Sequence, residues 1–186
     1  DVYKRQVLAQ AGSFVPAEKA RLGLVDAIFS RVGAKDDLFH SRSTFMVEMT
    51  ETAELLHRAT PRSFVIADEI GRGTNTSVGL SVAFSVLYTL VMRIQCRSLF
   101  ATHYYELADI LSENVSNEVE VQALCRAIEF YCTRLEKQGD AMSFSHRVRP
   151  GVNRVSHGLD IARLADMPHD TIRIAEHMHT WLVQHG

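Results

Sequence analysis

The stretch FVIADEIGRGTN, residues 64–75, decides the fold of this chain. Its first four residues are apolar and suit a buried strand, and they run directly into the adjacent carboxylates Asp68 and Glu69 and a glycine-rich turn. Ligands of α/β proteins bind at the carboxyl ends of parallel strands. We therefore interpret the stretch as a core strand that holds two carboxylates in a fixed position at its end.

Strands and helices alternate on both sides of this stretch. Residues 25–32 and 97–102 are apolar enough for buried strands, and the second of these leads to His103. Residues 44–59 have helical periodicity, and residues 78–94 form a long helix so apolar that we expect it to be buried. This order predicts an α/β domain with a parallel sheet.

The helix predicted over residues 44–59 carries one apolar face. Its members recur at spacings of four, four and three residues: Phe45, Met49, Ala53 and Leu56. Ser43 and Thr44 are of the residue types that cap helix N-termini, so either could begin the helix.

The two ends of the chain are predicted separately. Residues 7–12 form the end of a helix stopped by Gly12, and residues 1–6 lack periodicity, so we interpret them as a scar outside the fold. Towards the C-terminus we expect a connection over residues 113–126. A hairpin follows over residues 127–148, with Gly139 and Asp140 in its turn. Two helices then occupy residues 156–186, with a break at Pro168.

Composition excludes several classes of function. The chain has 186 residues, 46% of them hydrophobic, which is enough for one domain with a core and a short appendage. Its net charge of −2 gives no electrostatic footprint for nucleic acid. No apolar run approaches the roughly 18 residues of a membrane helix, so we expect no membrane partner. The three cysteines lack C-x-x-C spacing, and His177 and His179 lie on different faces of a helix, which argues against a zinc site.

The acidic pair matches the arrangement called Walker B. In this interpretation Asp68 holds Mg²⁺ through water, and Glu69 polarises the water that attacks the γ-phosphate of ATP. His103 would lie at the same edge of the sheet and could orient the attacking water or donate a hydrogen bond to the phosphate. The alternative is that the two carboxylates are a solvated strand end and that His103 is a helix cap.

Longer motifs resemble the MutS family of DNA mismatch-repair ATPases, whose motor domain is related to the ABC ATPases. The similar segments occur in the family's order and spacing: GSFVPAEKARLGLVDAIFSRVGAKDDL, STFMVEMTETAELLHRAT, DEIGRGTN, LFATHYYEL and SHGLDIARLADMP. The resemblance implies a P-loop NTPase sheet with flanking helices and a C-terminal helical extension. The phrases QCRSLFATHYYELADIL and FSHRVRPGVN look most like the mitochondrial branch, so we expect a mitochondrial location, with a nuclear one as the alternative.

The resemblance also implies a second subunit. In the family, the STFM segment faces the nucleotide held by the opposite subunit, which assigns Ser43 and Thr44 to the γ-phosphate of the partner's ATP. In the family, the loop after Walker B crosses the dimer interface, which implies that Thr74 and Asn75 couple the two nucleotide sites. Val78 stands where the family usually has an acidic residue, and this departure puts the cross-interface coupling in doubt.

One expected motif does not occur in this sequence. The phosphate-binding loop G-x-x-x-x-G-K-[ST] is absent, and Lys4 has no flanking glycines that would form such a loop. We therefore expect residues 7–167 to be a MutS-type ATPase domain without its phosphate loop, and residues 168–186 to begin a helical dimerisation region. The isolated chain should be inactive, while the full-length protein would use ATP and Mg²⁺ and bind mismatched DNA through other domains.

Two alternatives remain at this point. The chain could belong to another ABC-type ATPase, although STFMVEM occupies the place of the L-S-G-G-Q signature of those proteins. It could also be a module that only mediates dimerisation, because it lacks the phosphate loop.

Overall fold

A computed structural model describes residues 2–32, 43–111, 119–138, 141–154 and 157–185. The chain divides into two compact units, one ending at Glu129 and the other beginning at Phe130. The boundary predicted at Pro168 falls within the second unit, and the predicted domain limits stay a prediction. The predicted turn at Gly139 and Asp140 lies outside the described residues.

The first unit contains a parallel sheet of three strands flanked by helices. The strands are β1 (Ile28–Arg31), β2 (Phe64–Asp68) and β3 (Arg97–Ala101), and β2 lies between the other two. Phe64 pairs with Ile28 on one side and with Arg97 on the other. The helices of this unit are α1 (Val2–Gln10), α2 (Thr44–Arg58), α3 (Thr76–Tyr88) with a π-helical continuation (Thr89–Ile94), α4 (Glu106–Ile110) and α5 (Val119–Arg126). The α/β prediction is confirmed.

The core lies against the central strand. The first four side chains of β2 are buried, as its apolar sequence requires. Two of them, Val65 and Ala67, belong to a cluster with residues of α2, the loop after β2, α3, its continuation and the turn before β3: Leu55, Ile70, Val86, Leu90 and Cys96. Because β2 is buried and is paired on both sides, the residues at its end are attached to a packed, hydrogen-bonded strand.

Strand β1 is shorter than the predicted range of 25–32. Asp26 accepts hydrogen bonds from Thr60 Oγ1 at 2.5 Å and from Ser63 Oγ at 2.9 Å. The bond from Thr60, more than any other interaction, lowers the pKa of Asp26. The Val25 N–H donates to Gln10 Oε1 at 3.1 Å, so the backbone before Ile28 is bonded to other elements.

The buried face of α2 lies one position earlier than the apolar face in the sequence. The buried residues are Glu48, Thr52 and Leu55, whereas Ala53 is exposed and Phe45, Met49 and Leu56 are half-buried. The predicted face was wrong by one position, because it was drawn from the spacing of apolar residues alone and two of the three buried residues are polar. Glu48 has a buried hydrogen-bond partner outside the helix.

The helical run Thr76–Ile94 contradicts the expectation that no apolar run approaches the length of a membrane helix. Its 19 residues are long and apolar enough to cross a membrane by length and composition. The expectation was wrong because it counted uninterrupted apolar residues, whereas Ser, Thr and Tyr interrupt this run and Arg93 is its single charged residue. One side of the run packs in the core through Ala83, Val86 and Leu90, as a core helix does. The expected burial therefore holds for one side only.

Other predicted elements are found, with changes at their ends. Helix α1 ends before Gly12, which has φ +75°, and begins at Val2, so residues 2–6 are helical. Residues 119–126 were predicted to be a connection and form helix α5, whose Leu124 is fully buried. That prediction was wrong because the helix is short and its contacts are distant in sequence: the hydroxyl of Tyr88 donates to the carboxylate of Glu120 at 2.6 Å.

The second unit contains a hairpin and two helices. Strands β4 (Tyr131–Gln138) and β5 (Ala141–Pro150) pair antiparallel, as predicted. Helices α6 (Gly158–Leu164) and α7 (His169–His185) are separated at Pro168, also as predicted. Arg163 of α6 forms an ion pair with Glu176 of α7, and Ile172 of α7 is buried.

Candidate functional site

The candidate site lies where strands β2 and β3 end. Asp68 closes β2 and pairs in register with Ala101, which closes β3. The N–H of Glu69 then donates to the carbonyl of Ala101 at 2.9 Å, so the backbone beyond the last strand residue stays attached to the neighbouring strand. The acidic pair and the segment that leads to His103 therefore meet at one edge of the sheet, as the sequence predicts.

Glu69 has an unusual backbone conformation. Its φ is +52°, in the left-handed region that residues with a side chain seldom adopt. Its carboxylate forms an ion pair with Arg72, and both Asp68 and Glu69 are half-buried. Non-glycine residues in this region cluster at functional sites, where the surrounding structure holds them. This geometry differs from that of a freely solvated strand end.

His103 lies two residues beyond β3. Its exposed ring packs against the ring of Tyr104, with 4.1 Å between the centroids. It is not the cap of the next helix, because α4 has Tyr105 at its N-cap position. The N–H of Tyr104 is instead taken by Thr102 Oγ1 at 3.0 Å. The capping alternative for His103 is therefore wrong, and its side chain is accessible at the sheet edge.

Ser43 and Thr44 begin helix α2. Ser43 is the N-cap, and its hydroxyl accepts from the N–H of Met46 at 3.2 Å. Thr44 is the first helical residue, and both side chains are exposed. The capping interpretation is confirmed, and the position of both residues at a helix N-terminus also suits an anion.

The loop after β2 ends at a similar cap. Asn75 is the N-cap of α3, and its side-chain oxygen accepts from the N–H of Val78 at 2.9 Å. Thr74 is half-buried, whereas the side chain of Val78 is 43% exposed. Asn75 therefore stabilises the start of α3. Val78, which stands where the family usually has an acidic residue, exposes an apolar side chain.

Sequence reasoning missed a set of three residues that we name the Gly71 clamp: Glu48, Gly71 and Tyr104. The carboxylate of Glu48, in α2, accepts from the N–H of Gly71 at 2.5 Å. The hydroxyl of Tyr104, beyond β3, donates to the carbonyl of Gly71 at 2.9 Å. All three residues are buried. The one signal in the sequence was an acidic residue inside an apolar helix face, but nothing local identified its partner.

The pKa of Tyr104 provides a test of the clamp. Burial raises the pKa of this phenol, and the charges of Glu48 and Glu106 raise it further. An unfolded chain loses this proton near pH 10, whereas the folded chain still holds it. The contribution of Tyr104 to the free energy of unfolding is therefore fully present below about pH 10, and it is lost as the pH rises through the pKa of the folded chain.

We expect the free energy of unfolding to fall more steeply between about pH 9 and pH 11 in the wild type than in Tyr104→Phe. Urea unfolding at a series of pH values measures this slope. Tyr105→Phe, at the adjacent exposed tyrosine, is the control for loss of a phenol. Identical slopes for the wild type and Tyr104→Phe would contradict the assignment.

The residues at the strand ends suit Mg²⁺ of the kind bound with a nucleotide. Within the described residues, no group of three or more His, Cys, Asp or Glu side chains could enclose a metal ion. Magnesium in nucleotide enzymes is held by one or two carboxylates, phosphate oxygens and water. Asp68 at the strand end, with Glu69 beside it, fits that donor set and would not hold a metal by itself.

Known proteins match almost the whole chain. The MutS domain V family matches residues 3–183. DNA mismatch repair protein MutS of Desulforamulus reducens is 45% identical over 95% of this chain and 20% of its own length. The MutS proteins of Anaeromyxobacter sp. (strain Fw109-5) and Synechococcus sp. (strain CC9902) are each 47% identical, over 89% and 92% of this chain and 18% of their own lengths. The chain thus spans about a fifth of the length of these relatives.

The parallel sheet, its flanking helices and the acidic pair at the end of its central strand define an α/β domain of the ATPase type. The chain belongs to the MutS family, and the matched region is domain V of that family. Membership removes the alternative of another ABC-type ATPase.

Proposed function

We propose that this chain supplies the Walker B and signature elements of an ATP hydrolysis site in a dimeric DNA mismatch-repair protein. The observation that carries the proposal is the position of Asp68 and Glu69 at the end of the buried central strand, beside the segment of His103, in a member of the MutS family. Nothing in the described residues favours a module that only mediates dimerisation.

The acidic pair and the histidine have separate roles in this proposal. ATP supplies the phosphates, and Mg²⁺ neutralises their charge. Asp68, at the end of a paired strand, binds the ion through water, and Glu69 accepts a hydrogen bond from the attacking water. The exposed ring of His103 orients that water or donates to the γ-phosphate. The ion pair of Glu69 with Arg72 keeps the carboxylate near the strand end before nucleotide arrives.

The N-terminus of α2 serves the other subunit. Ser43 and Thr44 are exposed at the start of a helix of 15 residues, where backbone N–H groups and the helix dipole favour negative charge. They bind the γ-phosphate of the partner's ATP. Thr74 and Asn75 connect the two sites through the loop that precedes α3.

The remaining roles belong to the full-length protein. We propose that its partner is a second MutS-type subunit and that it binds mismatched DNA through domains outside this chain. A mitochondrial location, with a nuclear alternative, stays a prediction. So do the assignments of residues 1–6, 7–167 and 168–186 as a scar, an ATPase domain without its phosphate loop, and the start of a dimerisation region.

A mixing experiment tests whether Ser43 acts in trans. A full-length Ser43→Ala subunit is mixed with a Glu69→Gln subunit, so that each mixed dimer has one composite site with both changes and one with neither. Because Ser43 serves the site whose Walker B lies in the other subunit, we expect ATPase activity to rise above that of both parents. The measurement is steady-state ATP hydrolysis of verified heterodimers.

The matched control for this experiment is Ser43→Asn, which keeps a helix cap and removes the hydroxyl. If Ser43 only caps α2, Ser43→Ala lowers stability by about 0.5–2 kcal/mol and Ser43→Asn restores both stability and activity. A mixture no more active than the average of its parents would also count against the trans role.

A further inference from the structure

We propose that the Gly71 clamp positions the catalytic elements, with Glu48 and Tyr104 holding the signature helix, the Walker B turn and the histidine segment in register. The inference rests on the proposed function, because it assigns a task to residues around that same site. Neither Glu48 nor Tyr104 needs to touch nucleotide, so both are positioning residues.

Each member of the clamp lies close in sequence to a candidate site residue. Glu48 lies in the second turn of α2, whose N-cap is Ser43. Gly71 lies two residues after Glu69, and Tyr104 directly follows His103. The two hydrogen bonds join residues 23 and 33 positions apart, so three distant segments meet at a single backbone residue.

The hydrogen bonds fix both backbone polar groups of Gly71. Its N–H is taken by a carboxylate and its carbonyl by a phenol, so rotation of either peptide group would break a buried bond. The space around the glycine is equally restricted, because a side chain at Gly71 would overlap the backbone of Gly79. The turn that carries Glu69 therefore has little freedom to shift unless α2 or Tyr104 moves with it.

A carboxylate in the core costs free energy, because its charge is removed from water. Glu48 is 4% exposed, and an apolar side chain of similar size could pack there without the cost of removing charge from water. The carboxylate of Glu48 accepts from a backbone N–H, and hydrogen bonds to charged groups are stronger than those between neutral groups. This favours a directional role for Glu48, because packing alone would not require an acceptor aimed at Gly71.

The test uses Glu48→Ala, Glu48→Gln and Tyr104→Phe in the full-length protein. We expect Glu48→Ala to lower kcat by about 10- to 100-fold, because displacement of about 1 Å at a catalytic group can cost that much, while KM for ATP changes less than about twofold. Glu48→Gln keeps an acceptor oxygen and should recover part of the lost kcat. Tyr104→Phe should lower kcat without removing the Glu48 bond.

Glu54→Ala is the matched control, since Glu54 lies exposed on the same helix in an ion pair with Arg58. In the 186-residue chain, NMR hydrogen exchange of the Gly71 amide should accelerate by at least about tenfold in Glu48→Ala and stay unchanged in Glu54→Ala. Tyr104→Phe provides the kinetic test should Glu48→Ala not fold.

The outcomes separate the two proposals. Wild-type kcat in folded Glu48 and Tyr104 variants, with hydrolysis abolished by Glu69→Gln, would overturn the clamp and leave the proposed function intact. Undiminished hydrolysis in Glu69→Gln would overturn the proposed function itself. A rise in KM with unchanged kcat would also overturn the positioning role.

Discussion

Glu69→Gln in the full-length protein is expected to slow ATP hydrolysis by about two to four orders of magnitude, the range for removal of a group that activates water. ATP binding should remain nearly intact, because the amide has the size of the carboxylate and the nucleotide makes its main contacts elsewhere. The left-handed backbone of Glu69 and the bond of its N–H to Ala101 involve no side-chain atom, so the substitution should preserve both. Single-turnover hydrolysis and equilibrium nucleotide binding measure the two effects separately.

Asp68→Asn is the matched control for this experiment. Asp68 closes the paired strand, and its proposed partner is the hydrated Mg²⁺ ion, so its loss should weaken nucleotide binding that depends on Mg²⁺. Titration of ATP with and without Mg²⁺ detects that change. If both variants affected binding and hydrolysis to the same extent, the division of roles between the two carboxylates would be wrong.

Gly71→Ala is expected to destabilise the first unit by about 2–5 kcal/mol. A residue with a side chain pays roughly 1–2 kcal/mol in the left-handed region, and forced overlap in a packed site typically adds about 1–3 kcal/mol. Gly71 has φ +89°, and an added methyl group would overlap the backbone of Gly79. Urea unfolding measures the loss, and circular dichroism shows whether the fold survives.

Gly12→Ala separates the cost of a left-handed backbone from the cost of overlap with neighbouring atoms. Gly12 also has a positive φ, +75°, but nothing lies within 4 Å of an added methyl group. It should therefore show only the backbone cost of about 1–2 kcal/mol. Equal losses for the two variants would mean that the turn relaxes away from Gly79, and this would contradict the rigidity assigned to the Gly71 clamp.

The parts of the fold that sequence predicted are those that local patterns control. The run from Phe64 to Asp68 is apolar and ends in charge, so its burial and the position of the carboxylate at the end of the strand follow from the local pattern. Ser43 and Thr44 were the predicted candidates for the cap of α2 from their residue types, and Ser43 is the cap. The candidate site was predicted because its residues stand at the ends of such runs and in motifs similar to those of a known family.

The parts that sequence did not predict depend on long-range contacts. Glu48 was assigned no role because its partner lies 23 residues away, and its burial moved the packed face of α2 by one position. Tyr104 is 33 residues from the carbonyl that it binds. Helix α5 was missed although Leu124 is fully buried, and its Glu120 accepts a hydrogen bond from Tyr88, 32 residues earlier. Patterns within a short window carry no information on such pairs.

The apolar run Thr76–Ile94 has a consequence for synthesis on the ribosome. Its buried side contacts Leu55 and Val65, which are translated earlier, and Cys96 and β3, which are translated later. The helix therefore leaves the exit tunnel before part of its packing surface exists. During that interval it has the length and composition of a membrane-spanning helix, and part of its core side is uncovered. Rapid docking of the helix onto β2 would shorten this exposure, so the order of the elements along the chain affects how safely the domain is made.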